Sequence, residues 1–176
     1  MKNWIFLFSF FVLVSHLSFS QLNDIPDIEL TDIEKGINDF DVLRIKLLEN
    51  GFYLHKKEEN TYDYVLTEYW KREDSKNDNT SYGIQISKIP YDKTRYKNVI
   101  AIGGWGEDCK DFSNKLVPQI KNKFETINVE NLKYELLGKK REEYQLVYST
   151  QRNDIKVTIE NNDESFMFVF KVFYPK

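Results

Sequence analysis

Residues Ile155–Tyr174, IKVTIENNDESFMFVFKVFY, decide the fold, because they hold two runs in which large apolar side chains occupy every second position. The two apolar sets are Ile155, Val157 and Ile159, and then Phe166, Phe168 and Phe170. A period of two is typical of a strand with one buried face. Turn-forming residues at 161–165 separate the runs. The stretch therefore predicts two strands, Ile155–Glu160 and Phe166–Tyr174, joined as an antiparallel hairpin.

Upstream runs of the same kind predict six more half-buried antiparallel strands. They are Phe52–Lys57, Tyr62–Arg72, Tyr82–Ser87, Asn98–Gly103, Leu132–Leu137 and Glu143–Thr150. Three of these strands have predicted inward-facing sets. They are Tyr62, Tyr64, Leu66 and Trp70 in strand 62–72, Leu132, Tyr134 and Leu136 in strand 132–137, and Leu146 and Tyr148 in strand 143–150.

Two helices are predicted, each placed before a group of four strands. The first covers 39–50, is capped by Asn38 and ends at Gly51, with an apolar stripe at Phe40, Leu43, Leu47 and Leu48. The second starts at Glu107 or Asp108 and runs to about Phe124. Pro118 lies inside it and predicts a kink or two shorter helices. Its apolar face is Cys109, Phe112, Leu116 and Ile120. Before them, the capping box Thr31–Glu34 predicts one short turn that stops at Gly36.

This order of elements predicts an α+β fold with an antiparallel sheet and helices packed on one sheet face. It also predicts a tandem repeat of a helix-plus-four-strand unit, with the first unit at 38–106 and the second at 107–176. A short residue match, Leu54–Lys57 with Leu137–Lys140, adds a little support. Residues 21–37 are a leader segment. The pattern leaves open one compact domain or two halves, and one eight-stranded sheet or two four-stranded sheets.

The tandem order resembles that of secreted proteinaceous inhibitors such as the β-lactamase inhibitory protein, although no sequence motif identifies a family. The resemblance implies a protein that binds another protein. Those inhibitors carry disulfides, whereas this chain has one cysteine and can form none internally.

Residues 1–20, MKNWIFLFSFFVLVSHLSFS, predict a secretory signal peptide. Lys2 gives the positive start, the apolar run is too short to span a membrane, and Ser18 and Ser20 precede the predicted cleavage before Gln21. No later segment is long and apolar enough to cross a membrane. We therefore expect an exported protein, periplasmic or secreted, with a mature chain of 156 residues and a net charge of −4.

The composition disfavours most catalytic and nucleic-acid-binding classes. Without a basic stripe, nucleic-acid binding has little electrostatic basis. The mature chain has one histidine, His55, and one cysteine, Cys109, too few for a histidine- or thiolate-based zinc site. No P-loop, dinucleotide-binding or G-x-S-x-G motif occurs, so no cofactor, metal or catalytic residue is predicted. We expect His55 to be a solvated strand residue.

A possible phosphate-binding turn and two possible catalytic carboxylate pairs are both interpreted as structural. The glycine-rich segment Gly103–Gly106 is predicted as a turn that displays Trp105, and the acids that follow it disfavour a phosphate ligand. The adjacent pairs Glu58–Glu59 and Glu142–Glu143 are predicted to lie in solvated turns, where they cannot form a catalytic pair across a cleft.

The aromatic content favours recognition, since the mature chain has 2 tryptophans and 11 tyrosines. The predicted binding residues are Trp105 first, then Trp70, Tyr91 and Tyr96. We therefore expect a non-catalytic binding module for a protein partner, in the manner of an inhibitor or immunity factor. The alternative is a carboxylate-based enzyme or a carbohydrate-binding module of the cell envelope, and self-assembly of an envelope protein is a third hypothesis. The oligomeric state is left open.

Overall fold

The computed structural model describes residues 25–60, 65–73, 80–89, 96–106, 109–132, 139–146, 155–161 and 165–173. The helices are α1 (Leu30–Asn38), α2 (Phe40–Glu49) and α3 (Cys109–Lys123). The strands are β1 (Tyr53–Asn60), β2 (Val65–Glu73), β3 (Ser81–Lys88), β4 (Tyr96–Trp105), β5 (Glu125–Leu132), β6 (Lys139–Leu146), β7 (Ile155–Asn161) and β8 (Ser165–Phe173).

All eight strands join in one antiparallel sheet with the order β1-β2-β3-β4-β8-β7-β6-β5. The sequence left one sheet or two open, and the pairing of β4 with β8 makes it one. Each group of four strands is a meander, so β1 and β5 are the two edge strands of the sheet. The predicted α+β class with an antiparallel sheet is confirmed.

One face of the sheet, here called the inner face, carries the core. Cross-strand register places Trp70, Ile84, Ile102, Phe168 and Ile159 directly opposite one another in a single row from β2 to β7. All five are buried. Directly opposed residues share a face, so this row defines the side on which each strand buries its large side chains. The inward sets predicted for β7 and β8 are confirmed.

Helix α3 contacts this face through the stripe predicted from the sequence. Cys109, Phe112, Leu116 and Ile120 are all at most 1% exposed. The ring of Phe112 lies 5.8 Å from that of Tyr82 in an edge-to-face arrangement and 5.6 Å from that of Phe166. Pro118 was predicted to cause a kink or a division into two helices; it lies inside one uninterrupted helix, so the division is wrong. Pro118 is exposed, and water can therefore bind the carbonyl that its missing N–H leaves free.

Helix α1 is longer than the predicted turn and begins earlier. Its capping box joins Glu29 with Asp32, rather than Thr31 with Glu34, and it continues through Gly36. Ile33 and Ile37 are fully buried, so tertiary burial extends the helix. A Cβ on Gly36 would lie 2.5 Å from the Cβ of Leu43, which shows that the glycine permits close approach of α1 and α2. Asp39, not Asn38, caps α2 by accepting from the N–H of Asp41.

Strands β5 and β6 lie earlier in the chain than predicted. β5 starts at Glu125, directly after Phe124, whereas the prediction placed that strand at 132–137. β6 covers Lys139–Leu146 rather than 143–150. Every side chain from 125 to 130 is exposed, so β5 has no buried face to produce an alternating pattern. Tyr62, Tyr64, Tyr134, Leu136 and Tyr148 lie outside the described residues.

Candidate functional site

Trp105, the first predicted binding residue, is the last residue of β4. Gly103, predicted as the end of a strand and the start of a turn, and Gly104, predicted only in the turn, both belong to β4, because each is paired on both sides by β3 and β8. The chain turns only at Gly106, whose φ of 111° favours glycine. Trp105 is 56% exposed and faces the side opposite the core, here called the outer face.

Two glycines leave a gap among the side chains of the outer face beside Trp105. Gly83 and Gly103 are opposite each other there, and Met167 is opposite Gly103 on the other side. A Cβ built on Gly83 would meet no atom within 4 Å. Met167 is 39% exposed. We call these four residues, Gly83, Gly103, Trp105 and Met167, the glycine recess. Its two glycines carry no side chain, and its other two residues are large and apolar.

The surroundings of the glycine recess are polar and mostly small. Ser81 and Ser165 pair with Trp105, and Lys71 of β2 pairs with Gly83. Lys71 is exposed and has no ion pair among the described residues. The recess therefore offers a partner apolar contact area together with one cation.

The other three predicted residues do not join Trp105 on this surface. Trp70 is 5% exposed on the inner face, and its indole N–H donates to the Glu68 carboxylate over 3.3 Å. Tyr96 begins β4 opposite Phe173, and its side chain lies outside the description. Tyr91 lies outside the described residues.

A separate cleft of about 350 Å³ opens where α1 meets α2. Its charged lining residues are Asp39, Asp41, Arg44, Glu68, Lys88 and Lys97. Arg44 binds Glu68 through two hydrogen bonds, Nε to Oε2 and a terminal nitrogen to Oε1, each 2.9 Å long. Arg44 also binds Asp41. The guanidinium therefore holds two of the three carboxylates in this cleft.

The lowered pKa of Glu68 indicates that its carboxylate stabilises the structure and does not act as a general acid. Burial acts to raise the pKa of Glu68, but the hydrogen bonds and charge of Arg44 outweigh burial and lower the pKa below its usual value. A general acid needs the opposite shift. Asp39 is occupied as the cap of α2. The sequence analysis missed Glu68 and Arg44, since a salt bridge between a helix and a strand leaves no local pattern.

The second half of the sheet has a comparable buried carboxylate, Glu142 of β6. It accepts a hydrogen bond from the Tyr144 hydroxyl and forms ion pairs with Lys140 and Lys121, the latter at 3.2 Å. Burial acts to raise the pKa of Glu142, yet these donors lower it to about 2. The surface interpretation of Glu142–Glu143 is therefore wrong, because β6 buries Glu142 on the inner face and turns Glu143 to the outer face.

The remaining candidates have structural positions. His55 is exposed on edge strand β1, as predicted, and Cys109, the first residue of α3, is buried. Within the described residues, no three His, Cys, Asp or Glu side chains are grouped so that they could hold a metal ion. Likewise, none of the described helices is both long and apolar enough to span a membrane.

No family model matches this chain, and neither a curated protein nor a solved structure matches it significantly. No relative is therefore added to the resemblance in element order, and only the chain's own residues indicate a function.

Proposed function

We propose that the protein is a non-catalytic binding module whose outer sheet face binds a protein partner at the glycine recess. One observation carries the proposal: Gly103 has an exposed tryptophan (56%) two residues further along β4 and an exposed methionine (39%) opposite it on β8, and a Cβ on the adjacent Gly83 would meet no atom within 4 Å. Nothing in the core requires this arrangement, since Trp105 and Met167 face away from it.

The chemistry of the recess supports a protein partner. Tryptophan is enriched among the residues that dominate binding energy at protein interfaces. Methionine adapts its shape to a partner surface. The glycine pair leaves room for a partner side chain against the backbone, and Lys71 can pair with an acidic group beside it. An inhibitor or immunity factor uses such a surface.

Affinity capture from the envelope and culture supernatant of the source organism tests the proposal. We expect one partner to be retained by the exported protein, and Trp105→Ala to weaken its measured affinity at least tenfold. Gly83→Val should weaken it similarly by filling the recess. Leu48→Ala removes an apolar side chain that is 61% exposed on α2, a helix that contacts the inner face, and should retain the partner. Equal affinity in all variants would exclude this surface.

We also propose that residues 1–20 direct export and are cleaved before Gln21. The apolar run and the serines before Gln21 support this. N-terminal sequencing of the exported protein should start at Gln21 or its pyroglutamate form, in the periplasm or the medium. A protein that keeps Met1 in the cytoplasm would contradict the proposal.

A second candidate function, a carbohydrate-binding module or carboxylate enzyme, would use the cleft. The cleft's volume and its polar lining favour a small polar ligand there. The pairing of Glu68 with Arg44 favours binding over catalysis. Binding on a glycan array that Glu68→Gln abolishes and Trp105→Ala leaves intact would support this candidate over the first.

We infer in addition that the two units, 38–106 and 107–176, arose by tandem duplication, with helices on one sheet face. In each edge strand the register shifts by one residue, at His55 in β1 and at Ile127 in β5. The pair before each shift is Leu54 with Trp70, and Thr126 with Tyr144. Those two aromatic residues each donate to a buried glutamate two positions earlier, Glu68 and Glu142.

In this correspondence β1 matches β5. The short residue match of Leu54–Lys57 with Leu137–Lys140 instead aligns β1 with a segment that includes the start of β6, so the duplication we infer does not use it. Inner-face residues also support a single helical layer, since Glu68 binds Arg44 of α2 and Glu142 binds Lys121 of α3. Superposing the β1–β4 half on the β5–β8 half of a crystal structure should place Glu68 on Glu142. A shifted register would contradict duplication.

A further inference from the structure

The two edge strands of the sheet differ in how they are protected from pairing. β1 has four consecutive exposed charged residues, Lys56 to Glu59. Charged side chains on an edge strand oppose the approach of another strand. β5 has none between Thr126 and Val129, where the sequence is Thr-Ile-Asn-Val. Both edge strands carry a bulge, so the difference between them is one of charge, and in this respect β5 is the unprotected edge.

β5 also exposes apolar side chains. Ile127 is 50% exposed and Val129 is 52% exposed. β6 pairs with one side of β5, and no described strand pairs with the other. The unpaired backbone N–H and C=O groups of an edge specify the occupant, because only another β-strand satisfies them in register.

We propose that β5 pairs antiparallel with β5 of a second copy of this chain, around a two-fold axis at Val129. Every copy presents the same edge, so an isologous pair satisfies both edges at once. This interaction is independent of the glycine recess, which lies in the middle of the sheet.

Side-chain complementarity selects the register at Val129. Directly opposed residues share a face, so Val129 meets its own copy there, and Asn128 of each chain lies opposite Glu130 of the other. The Asn128 amide already donates to Glu130 within one chain over 2.7 Å, which shows that these two side chains suit each other. A register centred on Glu130 would instead oppose two glutamates, which is destabilising.

Cysteine cross-linking tests this register directly. The native Cys109 is buried and is the only cysteine, so it does not interfere. Under mild oxidation we expect Val129→Cys to form a disulfide-linked dimer at least ten times faster than Leu54→Cys. Leu54 is the matched control, since it is 46% exposed on the other edge strand. Equal cross-linking rates would overturn the proposal.

Sedimentation equilibrium of the purified full chain provides the second measurement. A single edge contact buries less area than a standard interface, so we expect a weak dimer. Val129→Lys should weaken the dimer at least tenfold, and Leu54→Lys should leave it unchanged; circular dichroism checks that both fold. Self-pairing is overturned if the wild-type protein stays monomeric at millimolar concentration. It is also overturned if the protein pairs only with a foreign strand peptide. Neither outcome affects the proposed binding function.

Discussion

The inner and outer faces of this sheet share one backbone but differ in what their side chains do. On the inner face, Phe168 and Ile100 are fully buried, and the glutamates Glu68 and Glu142 are held by helix cations. On the outer face, Ala101 and Val169, next in sequence to Ile100 and Phe168, are only half-buried, although Thr67 beside Glu68 is buried against Ser87. The comparison teaches that stability is concentrated on one face, which leaves the other free to change for recognition.

Replacing a core aromatic should show the largest contrast. Phe168→Ala removes a fully buried ring and should cost about 3–5 kcal/mol of unfolding free energy. Val169→Ala, the next residue on the outer face, should cost about 1 kcal/mol or less. Urea unfolding of both variants measures the difference, and similar costs would show that the outer face is also packed.

Adding one methyl group to an inner-face glycine should have the next largest effect. A Cβ on Gly104 would overlap the ring of Phe166 and lie 3.1 Å from the Cβ of Cys109. Gly104→Ala should therefore destabilise the protein by about 1–3 kcal/mol. Thermal unfolding measures it, and an unchanged melting temperature would mean that the Phe166 ring moves freely.

Removing the buried charge of Glu142 should change the pH dependence of stability. The pKa of this group is about 2 in the folded state, below its usual value of 4.5. Its contribution is therefore present above about pH 4.5 and is lost as the pH falls towards 2. We expect Glu142→Gln to cost about 1–2 kcal/mol at pH 7, and this difference from wild type should shrink in acid. Urea unfolding from pH 7 to pH 2 checks it, with the exposed Glu49→Gln as the control that stays parallel to wild type.

The smallest effect is expected at the outer-face glycine. A Cβ on Gly83 meets no atom within 4 Å, so Gly83→Ala should change stability by about 0.5 kcal/mol or less. A slight gain is consistent with the lower backbone entropy of alanine in the unfolded chain. A loss as large as that of Gly104→Ala would disprove the contrast between the two faces.

Periodicity predicted the parts of the fold where burial is one-sided. The alternating sets of β7 and β8, and the α3 stripe from Cys109 to Ile120, are confirmed because the sheet and helix each bury one continuous face. β5 was misplaced because its side chains from 125 to 130 are all exposed. α1 was read as a turn because Gly36 signals a helix end locally, while its actual role is contact with Leu43.

The candidate site was predictable only in part. Trp105 could be singled out because a tryptophan among glycines is unusual in a core. The sequence predicted that Trp105 is displayed on a turn, whereas it ends β4 and is exposed because it faces outward. Trp70 was predicted both as an inward-facing strand residue and as a binding residue, and its burial agrees with the first of these. The cross-strand neighbours of the glycine recess, Gly83 and Met167, lie about 20 and 60 residues away in sequence, so only the register brings them to Trp105.

The sequence by itself determined the α+β class, the antiparallel strands and the apolar sets that form the core, because these follow from local periodicity. Only the tertiary structure decided that β4 pairs with β8 in one sheet, that Arg44 binds Glu68, and that β5 is left as an unprotected edge. The physical reason is that hydrogen bonds and ion pairs between distant segments depend on register and burial. Both quantities exist only once the chain has folded.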